Sequence, residues 1–184
     1  MRKRLSIPLI LAAALLIYAV QGPSPQLITG AEPVINDIPS PESYARGVTV
    51  REFSETGEAL DRTEAKELRR FKESALIEMD EPRRWGHEGD DNWVATANSG
   101  ELLERTSVLR LSGDVSLSYV ADGARFEGES MIVHLDKRAA RSSTPVTGWQ
   151  DGNQISGNRF YADLKRQIAT LSGGVSSRYL PDDA

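Results

Sequence analysis

Leu111-Ser112-Gly113-Asp114-Val115-Ser116-Leu117-Ser118-Tyr119 returns sixty positions later as Leu171-Ser172-Gly173-Gly174-Val175-Ser176-Ser177-Arg178-Tyr179. Leu, Ser, Gly, Val, Ser and Tyr recur at the same offsets. Each copy reads as a strand, a glycine break and a second strand with apolar residues two apart. Internal repeats mark stacked architectures, in which no unit buries its apolar face without its neighbours. The chain is therefore read as all-β, a short stack of β-hairpins rather than an enzyme built round a pocket.

Outward from this phrase the repeat lengthens. Residues 126–146 and 155–175 align without gaps, placing Gly128 on Gly157, Met131 on Phe160, Val133 on Ala162, Leu135 on Leu164 and Val146 on Val175. Residues 95–115 align more weakly. In the two best windows Met131, Val133 and Leu135 alternate, as do Phe160, Ala162 and Leu164, the period of a strand with one covered face. Asp136-Lys137-Arg138 and Lys165-Arg166-Gln167 then supply polar turns. Upstream, residues 47–53 read as a strand and Glu55-Thr56-Gly57 as its turn. Residues 61–79 have the composition of a helix but the context of a strand, and are read as strand. Residues 85–91 read as a loop.

Only 39% of the 184 residues are hydrophobic, many of them in one N-terminal run. The net charge of −5 argues against a nucleic-acid binder, which carries a basic face. Without cysteine there is no disulfide scaffold, thiolate metal site or thiol nucleophile. Arg2, Lys3 and Arg4 precede sixteen uncharged positions, 5–20, which as a helix reach roughly 24 Å. A cleaved signal peptide and a retained anchor compete here. Ala19-Val20-Gln21-Gly22, next to Pro23, is a poor cleavage site and favours the anchor. Either way the positive-inside rule places the residues after 21 outside the cytoplasm. The domain reading is a cytoplasmic tip and anchor at 1–21, a Pro-rich linker at 22–43, a β-domain at 44–180 and a tail at 181–184.

Chemistry is scarce. His87 falls in the glycine-rich loop and His134 one step off the apolar alternation, so neither has a partner at catalytic or zinc-binding spacing. Asp90-Asp91 and Asp182-Asp183 lie in a loop and a tail and read as solvated acids. No phosphate-cradling loop is present, so the chain has no nucleotide motor of that type. The reading carries no enzyme activity, no cofactor and no metal. Trp93 and Trp149 could stack on sugars, though packing at sheet edges is the plainer reading. Arg105, Lys137, Arg138, Lys165 and Arg166 occupy aligned turns, a row of cations along one rim. Their plain reading is solvated turns, and their sharper one is contact with an anionic headgroup.

A short anchor, a Pro-rich linker and strand-pair repeats ending in L-x-G-x-V-x-x-x-Y together resemble the LptC family of lipopolysaccharide export. Phe53, Gly57, Ala65, Leu68 and Phe71 match its opening elements, and after them come Asp80-Glu81-Pro82, Trp93-Val94-Ala95-Thr96-Ala97 and Gly113-x-Val115. The resemblance implies a twisted open β-jellyroll behind one transmembrane helix, in the inner membrane with its domain in the periplasm. It also implies that acyl chains travel inside a slot between two sheets. Lipopolysaccharide would arrive from the LptB–LptF–LptG transporter at the N-terminal edge and leave to LptA at the C-terminal edge. The inward candidates for the slot are Val48, Val50, Met79, Val115, Leu117, Tyr119, Met131, Val133, Leu135, Phe160, Ala162 and Leu164. Val175, Ser177 and Tyr179 form the expected docking edge. Two other readings stay open: an anchored adaptor whose β-sandwich core is closed, and a carbohydrate-binding module.

Overall fold

The computed structural model describes residues 40–86, 93–120 and 123–179. The expected anchor, most of the linker, His87, Asp90, Asp91 and the tail lie outside these residues. Fourteen strands run in order: β1 (Ser43–Phe53), β2 (Ala59–Phe71), β3 (Leu76–Asp80), β4 (Arg83–Gly86), β5 (Trp93–Thr96), β6 (Ser99–Leu103) and β7 (Val108–Tyr119). They continue with β8 (Arg125–His134), β9 (Ala139–Ser142), β10 (Val146–Gln150), β11 (Asn153–Gly157), β12 (Arg159–Asp163), β13 (Ile168–Ser172) and β14 (Ser176–Arg178). Among the described residues the one helix is a 3-10 turn at Glu104–Thr106, and none is long and apolar enough to cross a membrane.

All pairings are antiparallel, and they sort into two layers. Layer I runs β2–β4–β5–β7–β8–β10–β11–β14, using the N-terminal half of β2, the C-terminal half of β7 and the N-terminal half of β8. Layer II runs β2–β3–β6–β7–β8–β9–β12–β13 and uses the other halves of those strands. β1 lies along the whole of β2 and belongs to both. The long strands thus pass from one layer to the other, while the rest are divided in two at the crossing. A seam of backbone bonds joins the crossings: Asn98 N–H donates to Gly113 C=O (2.8 Å) and Asn158 N–H to Gly173 C=O (2.9 Å).

This seam explains the doubled phrase. In the first copy Gly113 and Asp114, both at positive φ, form a bulge inside one continuous strand, β7, and the pairing register slips between Ser112 and Val115. In the second copy Gly173 and Gly174, also at positive φ, separate β13 from β14. So the break read in both copies is a break only in the second.

The seam also sets the phase of burial. In β7 the bulge keeps Leu109, Leu111, Val115, Leu117 and Tyr119 all inward. β2 and β8 lack such a bulge. Their inner residues change phase at the crossing, from Thr63 and Ala65 to Leu68, and from Phe126 to Met131 and Val133. The layers meet through Phe126 and Phe160, whose ring centroids lie 4.9 Å apart, and through Tyr119, whose hydroxyl donates to Asp163 C=O.

Residues 61–79, read as strand, are most of β2 and most of β3 joined by a turn at 72–75, with no helix despite their helical composition. Outward charges pair across the strands: Arg69 binds Asp80 (3.0 Å) and Glu78 (3.1 Å) and also reaches Glu67. Its hydrogen bond to Asp80, and next that to Glu78, raise the guanidinium further above its usual range. Ala65 and Met79 turn inward. Tertiary pairing overrides helix propensity here. The expected loop at 85–91 needs correction, because Trp85 and Gly86 complete β4 and pair with β5. A side chain at Gly86 would collide with the indole of Trp93, which lies across it.

Candidate functional site

The space between the layers is lined by inner-face residues directly opposite one another across the strands. In layer I one such row is Thr63, Arg84, Ala95, Leu117, Phe126 and Gly148, ending on Ile155 and Ser177. In layer II Leu68, Met79, Gly100, Leu111 and Met131 form another. Nine of the twelve expected slot residues lie in this buried cluster: Met79, Val115, Leu117, Tyr119, Met131, Val133, Phe160, Ala162 and Leu164. Leu135 packs against it. Val48 and Val50 share the inner face with their partners Ala65 and Thr63. On edge strand β1 Val48 is half-buried and Val50 is 41% exposed.

The middle is closed. Leu117, Met131, Val133 and Leu164 are each at most 1% exposed. On either side of that packing lies a cleft. The rim cleft, about 410 Å³, opens where β1, β2 and β4 face the turns of layer II, with Glu52, Asp61, Arg84 and Trp93 on one wall and Leu102 and Leu135 on the other. The terminal cleft, about 380 Å³, lies among the last strands and is lined by Tyr119, Phe126, Ile155, Ala169, Leu171 and Tyr179.

Arg84 is the residue that sequence reading missed. It points inward, is 3% exposed, and is held by acids rather than by solvent. Its Nη1 donates to Thr63 Oγ1 (2.8 Å) and Glu52 Oε1 (3.2 Å), while Nη2 donates to Glu52 Oε1 (3.1 Å) and Asp61 Oδ2. A buried cation is costly unless paired. Here two carboxylates from β1 and β2 pair with it, tying the edge strand inward. Reading 85–91 as a loop hid the inward phase of β4. The phase change in β8 hid Phe126 in the same way. Leu109 and Leu111 were legible from the alternation of β7 and lie in the core.

The expected cation row is assembled by backbone geometry. Leu135 N–H donates to Ser107 C=O (2.9 Å) and Leu164 N–H to Arg138 C=O (2.8 Å), so the turns carrying Arg105, Lys137, Arg138, Lys165 and Arg166 stand side by side. Lys137, Lys165 and Arg166 are exposed. Val175, Ser177 and Tyr179 lie in and beside the last strand, all exposed, Tyr179 at 75%. β13 and β14 each pair on one side only, as β1 does. Of the two tryptophans considered for sugar stacking neither packs at a sheet edge: Trp93 is buried between the layers and Trp149 lies on the outer face under Arg125. Among the described residues no three acidic or histidine side chains cluster to hold a metal ion.

A family model described as "Lipopolysaccharide-assembly, LptC-related" matches residues 7–180. The chain belongs to the LptC family. No curated protein matches it. Among solved structures, LptH, the LptA-homologous periplasmic component of the lipopolysaccharide transport device of Pseudomonas aeruginosa, is similar with a TM-score of 0.55. The similarity covers 66% of this chain and 95% of LptH at 14% identity. At that identity the likeness concerns the fold, two antiparallel layers bordered by free edge strands.

Proposed function

We propose that this LptC-family chain acts in lipopolysaccharide transport as a conduit. The layers form a twisted open jellyroll that takes the lipid's acyl chains between them and passes them on. The terminal cleft carries this reading: a space walled by Tyr119, Phe126, Ile155, Ala169 and Leu171 together with neutral polar side chains, next to strands with unpaired edges. Such edges invite aggregation unless a partner completes them, and strand addition is the productive form of the same pairing. Val175, Ser177 and Tyr179 would receive LptA, and β1 would meet LptF and LptG. The N-terminal run would hold the chain in the inner membrane as a single span, with the domain in the periplasm. Lys137, Arg138, Lys165 and Arg166 would meet anionic headgroup at the rim.

The physics requires shelter rather than chemistry. Exposing one acyl chain of a dozen carbons costs on the order of 10 kcal/mol at ~0.8 kcal/mol per CH₂. The chain carries no phosphate-binding loop, so the energy of extraction comes from an ATP-driven partner. No catalytic step is assigned.

The closed middle favours a second reading, an anchored adaptor whose core stays shut. Photo-crosslinking side chains at Met131, Phe160 and Leu171 separate the two in cells that are exporting lipid. The conduit gives lipopolysaccharide adducts at all three positions, dependent on ATP hydrolysis by the transporter. Adducts to partner proteins at Tyr179, with none to lipid at Met131 or Phe160, would sink the conduit and leave the adaptor.

A further inference from the structure

The outer face of layer I carries a row of side chains that a conduit does not use. On edge strand β1, Arg51 faces Arg62 of β2, and Arg62 faces Trp85 of β4. Val94 and Ser118 continue the row to Arg125, which faces Trp149. Through Gln154 it ends on Arg178 of the other edge strand, β14. Nine strands at about 4.8 Å spacing make a track roughly 38 Å long, from one open edge to the other.

Its chemistry is consistent along its length. The guanidinium of Arg62 lies 4.5 Å from the Trp85 ring centroid and that of the neighbouring Arg83 lies 4.8 Å away, while Arg125 covers Trp149 at 5.2 Å. Four acids border the track against five arginines: Glu64 pairs with Arg62, Glu127 with Arg125, and Asp114 and Glu129 lie with Glu127 in a cleft beside Trp149. Among the described residues Arg51, Arg83 and Arg178 have no acidic partner. The track is therefore net cationic on a chain of net charge −5. On the outer face of layer II, by contrast, Arg69 is surrounded by Glu67, Glu78 and Asp80. Between Trp85 and Arg125 the short side chains of Val94 and Ser118 leave a shelf about three strand spacings wide, roughly 14 Å. The indoles hold the guanidiniums in place from beneath, and guanidinium forks bind phosphate oxygens in pairs.

We infer that this track binds phosphorylated saccharide, the polyanionic glycan that the transported lipid carries outside the slot. The inference rests on the proposed cargo, but its test does not pass through the slot. The full chain in lipid nanodiscs is titrated with a deacylated, phosphorylated core oligosaccharide and with the same glycan after phosphatase treatment. Arg51→Gln, Arg125→Gln and Arg178→Gln are combined, all three side chains being exposed. Binding weakens at least about tenfold in the triple variant and after dephosphorylation, and it falls with added salt. Arg125→Lys keeps the charge, loses the fork and lies between. The inference is overturned if the triple variant binds within about twofold of the parent, if the dephosphorylated glycan binds equally well, or if vesicles of anionic phospholipid displace the glycan completely. Lipid adducts at Met131 and Phe160 persist in the triple variant. Their loss from the parent chain with glycan binding intact would count against the conduit alone.

Discussion

The rim cleft and the terminal cleft have similar volumes and differ in charge: the first is lined by acids and arginines, the second almost wholly by neutral side chains. The rim cleft is held by charge: Arg84 sits inside with Glu52 and Asp61 closing on it from two strands. The terminal cleft sets the rings of Tyr119, Phe126 and Tyr179 and the aliphatic Ile155 and Leu171 beside neutral polar side chains such as Gln150, Asn153, Gln154 and Gln167, and Asp151 is the one charged residue among its described lining. Ion pairs fix geometry because they lose energy steeply when pulled apart, whereas apolar walls can exchange one apolar neighbour for another at little cost. The difference teaches that one end of the interior is fastened by ion pairs and the other is closed by packing without them.

Phe126→Ala is expected to have the largest effect, since its ring joins Tyr119 to Phe160 at the floor of the terminal cleft. Removing it costs roughly 3–5 kcal/mol in denaturant unfolding, and a loss under about 1 kcal/mol would mean that this cleft is not built on its aromatics. Arg84→Ala comes next at about 2–3 kcal/mol. A buried pair that loses one partner costs somewhat more than that, but Glu52 is half exposed and relaxes into water. Proteolytic cleavage near β1 should rise with it, and an unchanged β1 would show that the rim cleft is fastened some other way.

Gly113→Ala and Gly173→Ala sharpen the comparison. Both force alanine to a φ of 75°, but a Cβ at Gly113 also comes within 2.9 Å of Asn98, while at Gly173 nothing lies nearer than 3.5 Å. The first should cost about 2–3 kcal/mol and the second about 1, read as midpoints in urea. Equal losses would mean that the seam is as tightly packed at the terminal cleft as at the bulge. Tyr179→Ala comes last, within about 0.5 kcal/mol on stability because the side chain is exposed. Its effect belongs in pull-down of LptA, and normal capture would remove it from the docking edge.

The repeat made the fold legible. A 29-residue offset between windows is the step from one hairpin pair to the next, so aligned residues such as Met131 and Phe160 occupy equivalent inner positions in β8 and β12. Alternation failed where strands cross between layers. Phe126 is out of step with Met131 because β8 turns its other side inward at the crossing, and nothing local in the sequence announces that change. Arg84 was hidden for a second reason. An arginine that follows Arg83 two positions after Pro82 reads as surface, and its burial depends on Glu52 and Asp61, which lie 32 and 23 positions away.

The long strands have a mechanical meaning. β1, β2, β7 and β8 run unbroken from one layer into the other, so parting the layers there means bending hydrogen-bonded backbone. Beyond β8 every strand is divided, and the backbone passes between the layers at Thr144-Pro145, Asn158 and Gly173-Gly174, while Phe126, Phe160 and Tyr119 join them through side chains. Stiffness therefore falls along the chain, as in a folded card stapled near one end. Opening at that end would break side-chain packing rather than a continuous strand, and it is the end where the terminal cleft lies.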